Sequence, residues 1–130
     1  MSLNDPLANA LSKILNAETR GKNECSVSPV SKLLKKILEL MQEHHYIGSY
    51  KEITNSKGGI VNINLIGHIN KCGAIKPRFP IKLKDFEKFE KRYLPAKDFG
   101  IIFLSTNKGI LTHTEAKRKK LGGKLLAFVY

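Results

Sequence analysis

The stretch from Phe99 to Tyr130 constrains the fold most, because it holds a complete strand–helix–strand pattern. "FGIIFLS" is an apolar run of strand length. Thr112 and Glu115 frame "THTE", a capping box that predicts the start of a short helix. Gly122-Gly123 then predicts the end of that helix and lets the chain turn back into a closing strand, "KLLAFVY". A fold containing this segment has to pack a helix against strands.

The first half of the chain shows a similar alternation of helical and extended patterns. A first helix is predicted between Asp5, a good N-cap, and Gly21, a helix stop. "ECSVSP" reads as a short strand ended by Pro29, and Ser31 caps a second helix that runs to about His45. "SYKEITN" and "IVNINLI" then read as two strands joined by "SKGG", which is typical of a hairpin turn.

A segment rich in proline and glycine, "GHINKCGAIKPRFPIKL", separates the two halves and has room for a short strand near 73–76. After it, "KDFEKFEKRYL" predicts an amphipathic helix with Phe86, Phe89 and Tyr93 on one face, ended by Pro95. The chain is therefore expected to be α+β, built from two small α/β subdomains. These are an N-terminal α-β-α-β-β unit at 1–68, a connector at 69–82 and a C-terminal α-β-α-β unit at 83–130.

The charge narrows the class of partner. The chain has 23 Lys and Arg against 11 Asp and Glu, a formal net charge of +12. Such a field indicates a polyanion or an anionic membrane as partner, although a merely soluble surface is the simpler alternative. No apolar run approaches the ~20 residues of a membrane span, and the N-terminus lacks a signal-peptide pattern. We expect a cytoplasmic protein without a membrane partner, with Cys25 and Cys72 as reduced, buried thiols.

Enzymatic motifs are not found. A nucleotide-binding P-loop needs G-x-x-x-x-G-K-[ST], but Leu125 follows Gly123-Lys124 and Arg118 stands where the first glycine should be. The four histidines, at positions 44, 45, 68 and 113, lack metal-ligand spacing. Ser105 and Thr106 have only His113 nearby and no acid to orient it. The sequence therefore predicts no catalytic residue, no cofactor and no metal site.

Segment 105–109, Ser-Thr-Asn-Lys-Gly, is better explained as a binding loop. Its hydroxyl and amide groups can donate hydrogen bonds to phosphate, ribose or a base edge. Lys108 adds a charge, and Gly109 allows a close approach of the backbone. Six basic residues and one acidic residue lie between Ser105 and Lys124. The alternatives are a plain turn with a capped surface helix, or a nonspecific basic nucleic-acid-binding protein.

Two further polar clusters occur in the first half. Asn9, Lys13, Asn16 and Arg20 fall on one face of the first predicted helix, where plain solvation is the alternative reading. Lys32, Lys35 and Lys36 fall in the first turns of the second helix, where cations oppose the helix dipole. A phosphate beside that helix start would make the arrangement favourable.

The C-terminal segment resembles the signature of the family of ribosomal protein eight of the small subunit. The matching residues are Ser105-Thr106, Gly109-Ile110-Leu111-Thr112, Glu115-Ala116, Gly122-Gly123 and Tyr130. "DPLANAL" and "SPVSKLLKKIL" resemble the family's first helix and the start of its second. "GHINKCGAIKPRF" resembles the connector of archaeal and eukaryotic members.

The resemblance implies a non-enzymatic, two-part α+β protein that binds the central domain of small-subunit rRNA early in assembly. It implies other small-subunit ribosomal proteins as partners and a monomer when isolated. An mRNA that mimics the rRNA site is the alternative ligand. The implied core contacts are Ser105, Thr106, Asn107 and Gly109, beside Lys108, with the surface shaped by Thr112, Glu115, Gly122, Gly123 and Lys124. Ser31 and Lys32 form a second implied contact, and Asn9, Lys13 and Asn16 a third.

Two positions depart from the family's pattern. Asn107 stands where a small hydroxyl residue is usual, and its amide could bridge more than one group. His113 stands where bacterial members commonly have Asp, so the resemblance transfers no acid role to it.

Overall fold

The chain forms two compact units that divide between Lys71 and Cys72. The structure, a computed structural model, describes residues 6–28, 30–53, 59–76, 78–96 and 99–130. Each unit combines helices with an antiparallel sheet, so the predicted α+β class is confirmed. Asp5, Pro29 and most of the predicted "SKGG" turn lie outside the described residues.

The first unit follows the predicted order. Its elements are α1 (Pro6–Thr19), β1 (Glu24–Val27), α2 (Lys32–Glu43), β2 (Ile47–Ile53) and β3 (Ile60–Leu65). The three strands form an antiparallel sheet in the order β1-β3-β2. Helix α1 contacts β1 and α2, and α2 contacts β2.

The alternation of apolar and polar residues in β3 decides which face of this sheet is buried. Val61, Ile63 and Leu65 are buried. On the opposite face, the Ser26 hydroxyl donates to Asn62 Oδ1 at 2.5 Å, and Asn64 Nδ2 donates to Ser49 Oγ at 2.7 Å. Successive side chains of a strand point to opposite faces, so this pattern was readable from the sequence.

The second unit is richer in strands than predicted. Its elements are β4 (Cys72–Ala74), β5 (Pro80–Ile81), a 3₁₀ turn (Leu83–Asp85), α3 (Phe86–Tyr93), β6 (Ile101–Thr106), β7 (Gly109–Thr112), α4 (His113–Arg118) and β8 (Gly123–Val129). The sheet order is β4-β8-β6-β7, and β5 also pairs with β8.

Three short strands therefore join the α-β-α-β order: β4, which corresponds to the short strand expected near 73–76, and two that were not predicted, β5 within 69–82 and β7 directly before α4. Each has two to four residues, too few to give a period. They exist because β8 and β6 offer edges whose backbone groups need partners.

The core of the second unit takes residues from α3, α4, β6 and β8, among other segments. Eight buried residues form it: Ile75, Ile81, Phe86, Leu94, Ile102, Leu104, Ala116 and Leu125. Phe89 and Tyr93 pack against this cluster together with Phe86, so the predicted apolar face of α3 is confirmed. No helix within the described ranges is long and apolar enough to cross a membrane.

Candidate nucleic-acid interface

The predicted binding loop is a tight β-hairpin rather than an open loop. β6 extends through Thr106, which pairs with Gly109 at the start of β7. The Thr106 hydroxyl donates to the Gly109 carbonyl at 2.7 Å and accepts from the Lys108 amide at 3.1 Å. Gly109 has φ of +104°, a conformation that strongly favours glycine. The Thr106 hydroxyl thus holds the turn together and has already donated its hydrogen.

Ser105, Asn107 and Lys108 are the free groups of this hairpin. All three side chains are exposed, and none makes a hydrogen bond or ion pair within the part of the chain that the structure describes. A hydroxyl and a carboxamide can each donate and accept, and the ammonium adds a positive charge. These three side chains are available to a ligand.

Gly122 and Gly123 lie where neighbouring backbone leaves no room for a side chain. A Cβ on Gly122 would come within 2.6 Å of the Ile81 carbonyl oxygen, and one on Gly123 within 2.5 Å of the Ser105 carbonyl oxygen. The predicted role of these glycines as the helix stop is corrected, because α4 ends at Arg118 and the left-handed residue after it is Lys120, with φ of +58°. The glycines instead let β5 and β6 flank the start of β8 closely.

An open groove lies where β5 and β6 flank the start of β8. Its floor is the Gly122-Gly123 backbone, and its walls are β5 on one side and the end of β6 on the other. The groove is lined by Pro80, Ile81, Ser105, Thr106, Asn107, Gly122, Gly123 and Lys124. All of these except Pro80 and Ile81 were predicted site residues. Those two were missed, since only long-range pairing with β8 brings them here.

Helix α4 begins as predicted and is built into the unit at its start. Thr112 Oγ1 accepts from the Glu115 amide at 3.2 Å, which confirms the N-cap. Thr112 is itself buried, so it shapes the surface from beneath. His113 is also buried, and its Nδ1 accepts from the Ile102 amide at 3.0 Å, which ties α4 to β6.

The basic residues between Lys117 and Lys124 differ in whether an acidic side chain neutralises them. Lys117 Nζ forms an ion contact with Oε1 of the buried Glu90, although without a hydrogen bond of regular geometry. Arg118 Nη2 and Lys119 Nζ lie 3.5 Å and 3.6 Å from Glu115 Oε1. Within the described ranges, the Lys120 and Lys124 side chains have no such partner. The positive charge available to a ligand is therefore smaller than the run of basic residues indicates.

The second predicted contact lies at the start of α2. Ser31 Oγ accepts from the Leu34 amide at 3.1 Å, so Ser31 is the N-cap, as predicted. Lys35 Nζ lies 2.9 Å from Glu52 Oε1, and Lys36 Nζ lies 3.6 Å from Glu39 Oε2. Lys32 is exposed and has no acidic partner among the described residues.

The third predicted contact lies along α1. Asn9, Lys13 and Asn16 are all exposed. Lys13 and Asn16 line a groove between α1 and β1, which Arg20, Lys22 and Ser26 also line. Burial raises the pKa of the Cys25 thiol in this groove, and the charges of Lys13 and Lys22 oppose that shift. The predicted site residues thus form one group in the second unit and two in the first.

Among the described residues, no group of three or more His, Cys, Asp or Glu is placed to hold a metal ion.

Comparison with known families identifies the chain. The sequence matches the family described as ribosomal protein S8 over residues 5–130. That family comprises structural, RNA-binding proteins that bind rRNA and other ribosomal proteins in the small subunit. The match covers nearly the whole chain, and the chain therefore belongs to the ribosomal protein S8 family.

Proposed function

We propose that this protein binds the central domain of small-subunit rRNA directly, as a cytoplasmic structural constituent that supports early subunit assembly. The observation that carries the proposal is the groove between β5 and β6, where free donors stand above a floor without side chains. The isolated chain is proposed to be monomeric and to bind one RNA site.

The chemistry of the groove suits structured RNA better than a generic polyanion. The minor groove of an RNA helix is wide and shallow, and it displays 2′-hydroxyls and base edges. The Ser105 hydroxyl and the Asn107 carboxamide can both donate to and accept from such groups. Gly122 and Gly123 allow an RNA backbone to approach the protein backbone, while Lys108 and Lys124 supply exposed cations for phosphates.

The rigidity of the hairpin supports specific recognition. The two hydrogen bonds of the Thr106 hydroxyl fix the turn that carries Asn107 and Lys108. Side chains on a fixed turn lose less conformational freedom on binding than those of a mobile loop. We therefore assign Ser105 and Asn107 to RNA contact and Thr106 to positioning, with Asn107 replacing the family's usual hydroxyl.

The residues of the first unit are proposed as additional contacts. Lys32 has the character of a phosphate ligand, since it lies at a helix start and the described part of the chain gives it no acidic partner. Asn9, Lys13 and Asn16 offer amide and ammonium donors on the exposed face of α1. These contacts add affinity, whereas the groove of the second unit supplies specificity.

The proposal is tested by the binding of the full chain to a central-domain rRNA fragment. We expect retention of that fragment over an unrelated RNA duplex at ~0.2 M salt, where nonspecific phosphate binding is weakened. Ser105→Ala should cost about 1 kcal/mol of specific binding with unchanged thermal stability, since the hydroxyl has no hydrogen-bond partner among the described residues. Ser28→Ala, at an exposed serine of the first unit, is the matched control. Equal affinity of the protein for both RNAs would contradict the proposal.

A second variant separates contact from positioning. Thr106→Ala removes both hydrogen bonds of the turn, so it should lower thermal stability as well as RNA affinity by about 1 kcal/mol each. Thr106→Ser keeps the hydroxyl and should restore most of both. A Thr106→Ala protein that loses RNA affinity at unchanged stability would instead make Thr106 a direct contact.

A further inference from the structure

Three helices of the chain end in the same backbone motif. In α1, the Gly21 amide donates to the Glu18 backbone carbonyl, and the Lys22 amide donates to the Ala17 backbone carbonyl, both at 3.0 Å. Gly21 has φ of +72°, as expected of a glycine that ends a helix in the left-handed conformation.

The other two helices place a side chain where α1 has glycine. In α2, His45 has φ of +64°, and the Tyr46 amide donates to Met41 at 2.9 Å. In α4, Lys120 has φ of +58°, and the Leu121 amide donates to Ala116 at 2.9 Å. Within the described ranges, these are the two non-glycine residues with positive φ. A Cβ is disfavoured in this conformation, so each position is strained relative to glycine.

The surroundings of Lys120 set it apart from the three cations before it. Lys117 is neutralised by Glu90, and Arg118 and Lys119 share Glu115. The Lys120 side chain is exposed and has no acidic partner in the part of the chain that the structure describes. In sequence, Lys120 lies two residues before Gly122, which forms the groove floor.

We infer that Lys120 binds a phosphate of the RNA that occupies the groove, and that its strained conformation is the consequence of keeping a cation at this helix end. The inference rests on the proposed function and adds a contact residue that the sequence signature does not contain. Glycine would satisfy the backbone better at this position, but it would remove the uncompensated charge of the run from Lys117 to Lys120.

The inference predicts opposite signs for stability and binding in one variant. Lys120→Gly should raise the melting temperature by about 3 °C, because it relieves the left-handed side chain. The same change should weaken binding of the central-domain fragment about threefold or more and shallow the salt dependence by about one phosphate contact. Lys120→Arg should retain the binding.

His45→Gly is the matched control, since it relieves the same strain in the same motif and leaves Lys120 in place. It should raise the melting temperature comparably and leave RNA affinity unchanged. Unchanged affinity in Lys120→Gly would overturn the inference, and so would an equal loss of affinity in His45→Gly. Wild-type protein that fails to discriminate the fragment from unrelated duplex would instead overturn the proposed function, and the inference with it.

Discussion

The start of α2 and the end of α4 are both rich in lysine, and they differ in what their lysines do. Lys32, Lys35 and Lys36 lie at the positive end of a helix dipole, whereas the run from Lys117 to Lys120 lies at a negative end. The dipole thus opposes the first cluster and favours the second.

The acidic partners differ as well. Lys35 pairs with Glu52, and the two side chains are 47% and 37% exposed. Lys117 pairs with Glu90, whose side chain is only 4% exposed. The first pair is a surface contact of small energetic weight, while the second compensates a carboxylate inside the protein. At both helix ends, the number of basic residues is therefore larger than the number of cations available to a ligand. At α4, one of them, Lys117, stabilises the protein by pairing with a buried carboxylate.

The largest expected effect follows from this difference in burial. Lys117→Ala leaves the buried Glu90 carboxylate without its cation and should lower the free energy of unfolding by about 2 kcal/mol, since water reaches the site only in part. Lys35→Ala removes an exposed pair and should cost about 0.5 kcal/mol or less. Denaturant titration of both variants measures the two effects.

A second substitution tests the cause. Glu90→Gln in the Lys117→Ala background removes the uncompensated charge and should recover part of the lost stability. Equal, small losses in Lys117→Ala and Lys35→Ala would remove the distinction between the two helix ends.

A smaller effect is expected from Lys32, which has no acidic partner in the ranges that the structure describes. Lys32→Ala should weaken RNA binding about threefold at ~0.1 M salt and reduce the salt dependence by about one phosphate contact. Lys36→Ala, whose ammonium already faces Glu39, should change affinity less. Filter binding across a salt series compares the two variants, and a larger loss in Lys36→Ala would reverse the assignment.

The smallest expected effect comes from releasing cations rather than removing one. Glu115→Gln removes the charge shared by Arg118 and Lys119, so affinity for every RNA should rise about twofold, with a steeper salt dependence. Because both basic side chains are already partly neutralised, Lys119→Ala in the wild type should cost less RNA affinity than Lys120→Gly. Weaker RNA binding by Glu115→Gln would show that this carboxylate contributes to the RNA contact.

Local features of the sequence predicted much of this fold. The N-caps Ser31 and Thr112 were predicted because each hydrogen bond joins residues three apart in the chain. The buried face of β3 was predicted because its period is two. The short strands β5 and β7 were missed, since two to four residues carry no period and their pairing partners decide their conformation.

For the candidate site, the sequence predicted most of the residues that belong to it but not what each of them does. The donors from Ser105 to Gly109 were identified from their types and from the family signature. Their division into free groups and a turn-forming hydroxyl at Thr106 required the hairpin geometry. The glycines of the groove floor were identified for the wrong reason, because the contacts that exclude a Cβ come from Ile81 and Ser105, in other strands.

By itself, the sequence determined the α+β class, the N-caps Ser31 and Thr112, the polar face of the first sheet and membership in a family of rRNA-binding proteins. Only the tertiary structure decided which strands wall the groove, which lysine is neutralised by a buried carboxylate and which lysines lack an acidic partner among the described residues. The physical reason is how far apart in the sequence the interacting residues lie. A cap or an alternating strand involves neighbours that covalent geometry already brings together. The pairing of β5 with β8, or of Glu90 with Lys117, joins segments that only the folded core brings together.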